Sequence, residues 1–146
     1  MRQRHTIDAW GTKLYFDCEG ESFDSVVAFA EIASFVGLVD DLFSTYKPDS
    51  VVSQLRDGRM QIADAPADVI EVANLCAIAK DLTDGAFDPW AVPGGFDPSG
   101  YVKGWAGDKC ADIAQEHGAQ HVQINFAGDL ALRGGFNVAG VISLGL

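Results

Sequence analysis

Lys103-Gly104-Trp105-Ala106-Gly107-Asp108-Lys109-Cys110-Ala111-Asp112-Ile113-Ala114-Gln115-Glu116-His117-Gly118 reads as a helix closed by a glycine. The residues after it read differently. Val122, Ile124, Phe126, Leu130, Leu132, Val138, Val141 and Ile142 fall into two or three strands, broken at Gly128-Asp129 and Gly134-Gly135. Working back from this switch, Phe23 to Leu42 places Phe23, Val26, Val27, Ala30, Ala33, Val36 and Leu38 at three- and four-residue steps, a helix that Ser22 is placed to cap. Asp64-Ala65-Pro66 opens another, through Val69, Val72, Ala73, Cys76, Ala79 and Leu82, ended by Gly85. Ser50 is placed to cap a short helix through Val51, Val52 and Leu55, and Thr12 to Phe16 is rich in strand formers. Helices followed by strands predict an α+β, or mixed α/β, domain with long helices packed on a mostly antiparallel sheet.

The 146 residues fit one domain, and 48% apolar with 21% charged residues is ordinary globular usage. Twenty-one carboxylates against ten lysines and arginines give a net charge of -11. Such a field repels nucleic-acid backbones and anionic lipid, so nucleic-acid binding is not expected. An anionic ligand needs a local cation, a helix N-terminus or a divalent metal. Cys18, Cys76 and Cys110 form no CxxC pair and are expected as buried structural thiols. Arg2-Gln3-Arg4-His5-Thr6 begins like a basic leader, but Ile7-Asp8 follows instead of an apolar stretch, and no apolar run reaches the roughly 18 residues of a membrane span. A cytoplasmic location is the corresponding expectation.

Thr83 to Gly104 is the densest irregular stretch, with Gly85, Gly94, Gly95 and Gly100 among its residues and Phe-Asp-Pro occurring twice. A connection of this length inside a domain is uncommon unless functional. Ser99-Gly100 opens the helix that follows, and its first amides, with Lys103 in the same turn, can face an anion; Lys103 can equally be a solvated surface lysine. Asp84, Asp88 and Asp97 are either hard oxygen ligands for Mg²⁺ or Ca²⁺, or turn-forming Asx residues beside Pro and Gly. Tyr46 and Trp10 can stack on a planar ring or simply pack. No nucleophile elbow, GxGxxG turn or Walker loop occurs.

Taken in order, five segments resemble the ApbE family of FAD:protein FMN transferases. Trp10-Gly11-Thr12 resembles its Met-Gly-Thr, and Phe43-Ser44-Thr45-Tyr46 its Phe-Ser-Thr-Tyr. Gly85-Ala86-Phe87-Asp88-Pro89 resembles Gly-Ala-Phe-Asp-Pro, and Asp97-Pro98-Ser99-Gly100-Tyr101-Val102-Lys103-Gly104 resembles Asp-Leu-Ser-Gly/Ala-x-x-Lys-Gly. Asn125-Phe126-Ala127-Gly128-Asp129 is similar to Asn-x-Gly-Gly-Asp.

The resemblance implies an ApbE-like fold and Mg²⁺-dependent transfer of FMN from FAD to a threonine of a target flavoprotein subunit, with AMP released. It implies Tyr46 stacking on FAD, Trp10 as an apolar flavin contact, Ala86, Phe87 and Asp88 lining the site, Lys103 near the phosphates, and a main-chain oxygen of Gly100 on Mg²⁺. The family's second half carries a His-x-x-Asp-Pro segment and further metal ligands, which have no counterpart in these 146 residues. The general base is therefore unassigned. A flavin-binding module without transferase activity, or an inactive truncated remnant, is the alternative. Apolar strands near Val138 to Leu144, if unpaired, imply self-association into homo-oligomers.

Overall fold

The computed structural model describes residues 1–134. Its elements are β1 (Arg2–Ala9), β2 (Thr12–Glu19), α1 (Ser25–Phe43), α2 (Val51–Arg56), a 3₁₀ turn (Ile62–Asp64), α3 (Ala67–Leu82), α4 (Ser99–Glu116), β3 (His121–Phe126) and β4 (Asp129–Arg133). The strands form one antiparallel sheet in the order β1-β2-β3-β4. The mixed architecture and the antiparallel sheet are as the sequence pattern predicts. The strands expected beyond Gly134, and the edge they would form, lie outside the described residues.

Two compact units divide the chain, Met1–Val36 with the residues from Ala106 onward, and Gly37–Trp105. The first contains the sheet. Leu14, Phe16 and Cys18 of β2 and Val122, Ile124 and Phe126 of β3 alternate inward and are almost fully buried. Phe126 meets Phe16 and Trp10 edge-on at 5.5 and 5.3 Å between ring centroids. Phe29 of α1 lies 6.1 Å from Phe16 and stacks on His5 at 4.6 Å. α4 covers the β3–β4 side, where a Cβ added at Gly107 would stand 3.5 Å from the Ala131 methyl and 3.9 Å from Phe126. A methyl there would make ordinary van der Waals contact, and only a side chain larger than alanine would press helix from sheet. The chain also passes itself closely at Gly20, where a Cβ would come within 2.3 Å of the Gly118 carbonyl oxygen, so no larger side chain fits without movement.

β1 precedes the strand that the sequence signalled first. Its residues are mostly polar, which is why they resemble a leader, but each pairs with β2 from Arg2↔Glu19 to Ala9↔Thr12. Arg2 donates two hydrogen bonds to Asp17 at 2.9 and 2.7 Å, and Lys13 pairs with Asp8 at 2.9 Å. The Arg2 guanidinium holds the Asp17 carboxyl below the usual carboxylate range. Two-residue turns close both hairpins, with Trp10 and Gly11 at φ 56° and 73°, and Ala127 and Gly128 at 54° and 100°.

The second unit packs around Val39, Leu42, Phe43, Val52, Val69, Val72, Cys76, Phe96, Val102 and Trp105. Trp105 meets Phe43 edge-on at 5.6 Å, and its indole N–H donates to Glu71 Oε2 at 2.5 Å. Ser50 caps α2 as expected, accepting from the Ser53 amide. Asp24, and not Ser22 as the sequence suggests, caps α1, with Oδ1 accepting the Val27 N–H at 3.2 Å while its carbonyl takes the Ala28 N–H. α4 opens at Ser99-Gly100, as those residues signal, and so four residues before Lys103, where the helical run by itself begins; the Asp97-Pro98 pair sets its first turn.

All three cysteines are buried and free, and burial pushes the Cys18 and Cys110 thiols up to about 12 and Cys76 to about 11. At pH 8 almost no thiolate forms. We expect a chromogenic disulfide reagent to label none of the three in the native protein over the minutes in which it labels all three in denaturant. Rapid native labelling at any one would contradict the packing.

Candidate functional site

All but one of the residues that the sequence singles out as a site fall in the second unit; Trp10 is in the sheet unit. Its indole N–H donates to the Val36 carbonyl at 3.3 Å and its ring packs on Phe126. Trp10 thus has a structural occupation.

Tyr46 is 97% exposed, at the turn between α1 and α2. A single exposed aromatic is ordinary by itself; what distinguishes Tyr46 is that the backbone around it is fixed. Lys47 pairs with Asp40 at 2.8 Å and Asp41 at 3.1 Å, and these hydrogen bonds, Asp40's first, hold its ammonium above the usual lysine range. Ser50 Oγ donates to the Ser44 carbonyl at 2.6 Å, and Ser53 Oγ to the Lys47 carbonyl at 2.6 Å. The Tyr46 ring projects from a loop tied at both ends.

Residues 83–98 form the second feature, shorter than the Thr83 to Gly104 span read from sequence because α4 starts early. Both Phe-Asp-Pro triplets adopt the same local structure. Asp88 Oδ1 accepts the Trp90 N–H and Asp97 Oδ1 the Ser99 N–H, each at 3.0 Å, and Pro89 and Pro98 are buried behind them. These are Asx turns. Asp88 also faces Lys80 at 3.4 Å, and Lys80 lies 6.0 Å from the centroid of Trp90, which stacks on Phe96 at 5.3 Å. The Asp97 N–H closes the arch onto the Pro89 carbonyl at 2.9 Å.

Phe87 and Gly100 come together. A Cβ on Gly100 would stand 3.3 Å from Phe87 Cε1, and the Tyr101 ring lies 6.4 Å from that of Phe87. Ala86 is exposed beside them. Lys103, the fifth residue of α4, stands one turn beyond the helix start, not in its first turn. It makes no ion pair among the described residues. The helix start carries its own anion, since the Asp97 carboxylate takes the Ser99 amide and also the Ser99 hydroxyl. A bound phosphate would meet the Gly100 side of that end and Lys103, beside an aspartate already in place.

No three His, Cys, Asp or Glu side chains come together as a metal site among the described residues. Gly100 offers a carbonyl oxygen only, and inside a helix that oxygen is already directed at the amide four residues on. The described residues alone do not make a magnesium site.

Sequence reasoning missed Arg56. The last residue of α2, it donates to the carbonyls of Gly95 at 3.1 Å, Phe96 at 3.3 Å and Pro93 at 3.0 Å. A basic residue in a helix's last turn is an ordinary pattern, so nothing local signals a contact about forty residues away.

Two substitutions separate scaffold from site. Asp97→Ala removes the cap of α4 and is expected to lower unfolding stability by about 1 kcal/mol in a denaturant titration. Tyr46→Ala, at a side chain surrounded by water, is expected to change it by less than about 0.5 kcal/mol. A larger loss at Tyr46 would mean that the ring packs in solution.

Residues 6–95 match the ApbE family. The fold matches solved structures that carry the same family name. A histidine-to-glycine variant of the flavin transferase ApbE from Vibrio cholerae has TM-score 0.82 and 18% identity, over 94% of this chain and 64% of that one. The apo flavinyl transferase ApbE of Pseudomonas stutzeri has TM-score 0.78 and 18% identity, over 92% and 58%. The ApbE protein of Thermotoga maritima has 0.79 and 17%, over 93% and 60%. This chain spans less than two thirds of the length of each. No curated protein matches the sequence. At these identities the structures establish the fold, and the family match, over more than half of the chain, establishes the lineage: the chain belongs to the ApbE family.

Proposed function

We propose that this chain is the flavin-handling part of an FAD:protein FMN transferase. The family match over residues 6–95 is the observation that carries the reading. In the proposed reaction an acceptor threonine hydroxyl attacks the phosphorus on the FMN side of the FAD diphosphate. The P–O bond to the AMP phosphate breaks, AMP leaves, and the hydroxyl proton passes to a base that no residue of this chain is assigned to supply. Nearly all the work is positioning and charge neutralisation.

Tyr46 suits the flavin contact because it is a rigidly presented, water-exposed aromatic whose removal exposes no core. Ala86, Phe87 and Asp88 would line the FAD site. Lys103 would face the diphosphate, its lack of an internal carboxylate partner among the described residues leaving its charge available. Magnesium would neutralise the diphosphate in a protein of charge -11. No three carboxylate, His or Cys side chains among the described residues converge to hold it, and Gly100 would add at most a main-chain oxygen.

A second reading, a flavin-binding module that does not transfer, is favoured by the Asp97 carboxylate that already occupies the start of α4, where a diphosphate would sit. Both readings require FAD binding. We expect FAD to bind the chain, with Tyr46→Ala weakening binding about tenfold, the size of a lost stacking contact of 1–1.5 kcal/mol. Fluorescence titration measures this. Incubation with FAD, Mg²⁺ and a threonine-containing acceptor peptide, read by mass spectrometry, separates the two readings through presence or absence of an FMN adduct. No FAD binding by the folded chain would remove both.

A further inference from the structure

Within the second unit, α2 touches both loops that the flavin reading uses. At its start, Ser50 and Ser53 hydroxyls donate to the Ser44 and Lys47 carbonyls on either side of Tyr46. At its end, the Arg56 guanidinium donates to the Pro93, Gly95 and Phe96 carbonyls, next to Asp97 and the start of α4. Residues 93–96 have neither ladder nor helix to satisfy those oxygens. An arginine is the one side chain whose planar fork can serve three of them at once. The loop is shaped around it, for a Cβ at Gly94 would lie 2.4 Å from Arg56 Nη2 and its φ of 89° suits glycine alone.

We infer that Arg56 is the positioning residue of the flavin site, with α2 acting as a bracket that fixes the Tyr46 loop and the 93–97 loop in one spatial register. Arg56 touches no ligand in this account. It acts through the carbonyls of the second loop, which in turn place the Asx turn at Asp97 and the opening of α4. The ligand half of this inference rests on the flavin reading; the bracket half does not.

Three variants of the full chain test it, Arg56→Gln, Arg56→Lys and Gly94→Ala, with amide hydrogen exchange and FAD titration as paired readouts. In Arg56→Gln the Gly95 and Asp97 amides, which now close onto the Val92 and Pro89 carbonyls, are expected to exchange about tenfold faster or more, while mid-α3 amides keep their protection. FAD affinity is expected to fall about tenfold, as for loss of a charge-assisted hydrogen-bond set. The quenching of bound flavin at saturation is also expected to fall, because Tyr46 no longer faces the ring in register; mere destabilisation would leave that saturating value unchanged.

Arg56→Lys keeps the charge without the fork and is expected to recover only part of the loss. Gly94→Ala keeps every charge and displaces the guanidinium, so it is expected to reproduce Arg56→Gln. Full recovery by Lys would overturn the inference in favour of simple charge attraction. So would unchanged exchange in Arg56→Gln, or faster exchange with unaltered FAD affinity and quenching. If the unsubstituted chain binds no FAD, the flavin reading fails, while the exchange data alone still decide whether Arg56 holds the loop.

Discussion

Residues 83–98 lie outside helix and ladder, yet their backbone donors and acceptors need partners as much as any others. The structure meets this need both locally and remotely. Asp88 and Asp97 fold back on the amides two residues later, Pro89 and Asp97 join the ends of the arch, and Arg56 takes the carbonyls of Pro93, Gly95 and Phe96. A glycine- and proline-rich stretch thereby acquires one conformation, and the side chains it carries acquire defined places. Every feature of the candidate site in that unit is fixed relative to this arch or to the Tyr46 turn.

The sheet unit works by a different principle. Its inner face is a run of aromatic and branched residues covered by the halves of α1 and α4 that belong to it, and its stability comes from excluding water from Phe16, Phe126 and their neighbours. Charged residues on β1 and β2 pair across the strands. Pairs screened by water in this way add little to stability. They set register more than stability, since a one-residue slip would oppose Arg2 and Asp17 to the wrong neighbours and turn Phe16 outward.

For a chain of charge -11, the proposed diphosphate ligand sets the protein's field against its ligand. The described residues ease it only in part. Lys103 is a single cation one turn into α4, and the helix start is capped by an aspartate. The proposed reading therefore asks most of Lys103, whose charge no carboxylate among the described residues pairs with.

The helix and strand periodicities in the sequence determined the α+β class and the positions of the four described helices to within a few residues, because burial of one face imposes a repeat that neighbours along the chain must obey. The ordered motifs located the family in the same way, being local runs of side chains. What sequence could not supply were contacts between distant residues. Nothing in Arg2 to Ala9 announces a strand, because polar residues become one only when Thr12 to Glu19 lies alongside. Nothing near Arg56 names Pro93, Gly95 and Phe96 as its partners. Only the tertiary structure decided that Trp10 belongs to the sheet unit, that Asp97 already occupies the start of α4, and that one short helix ties two loops, since each depends on chain closure and not on any local preference.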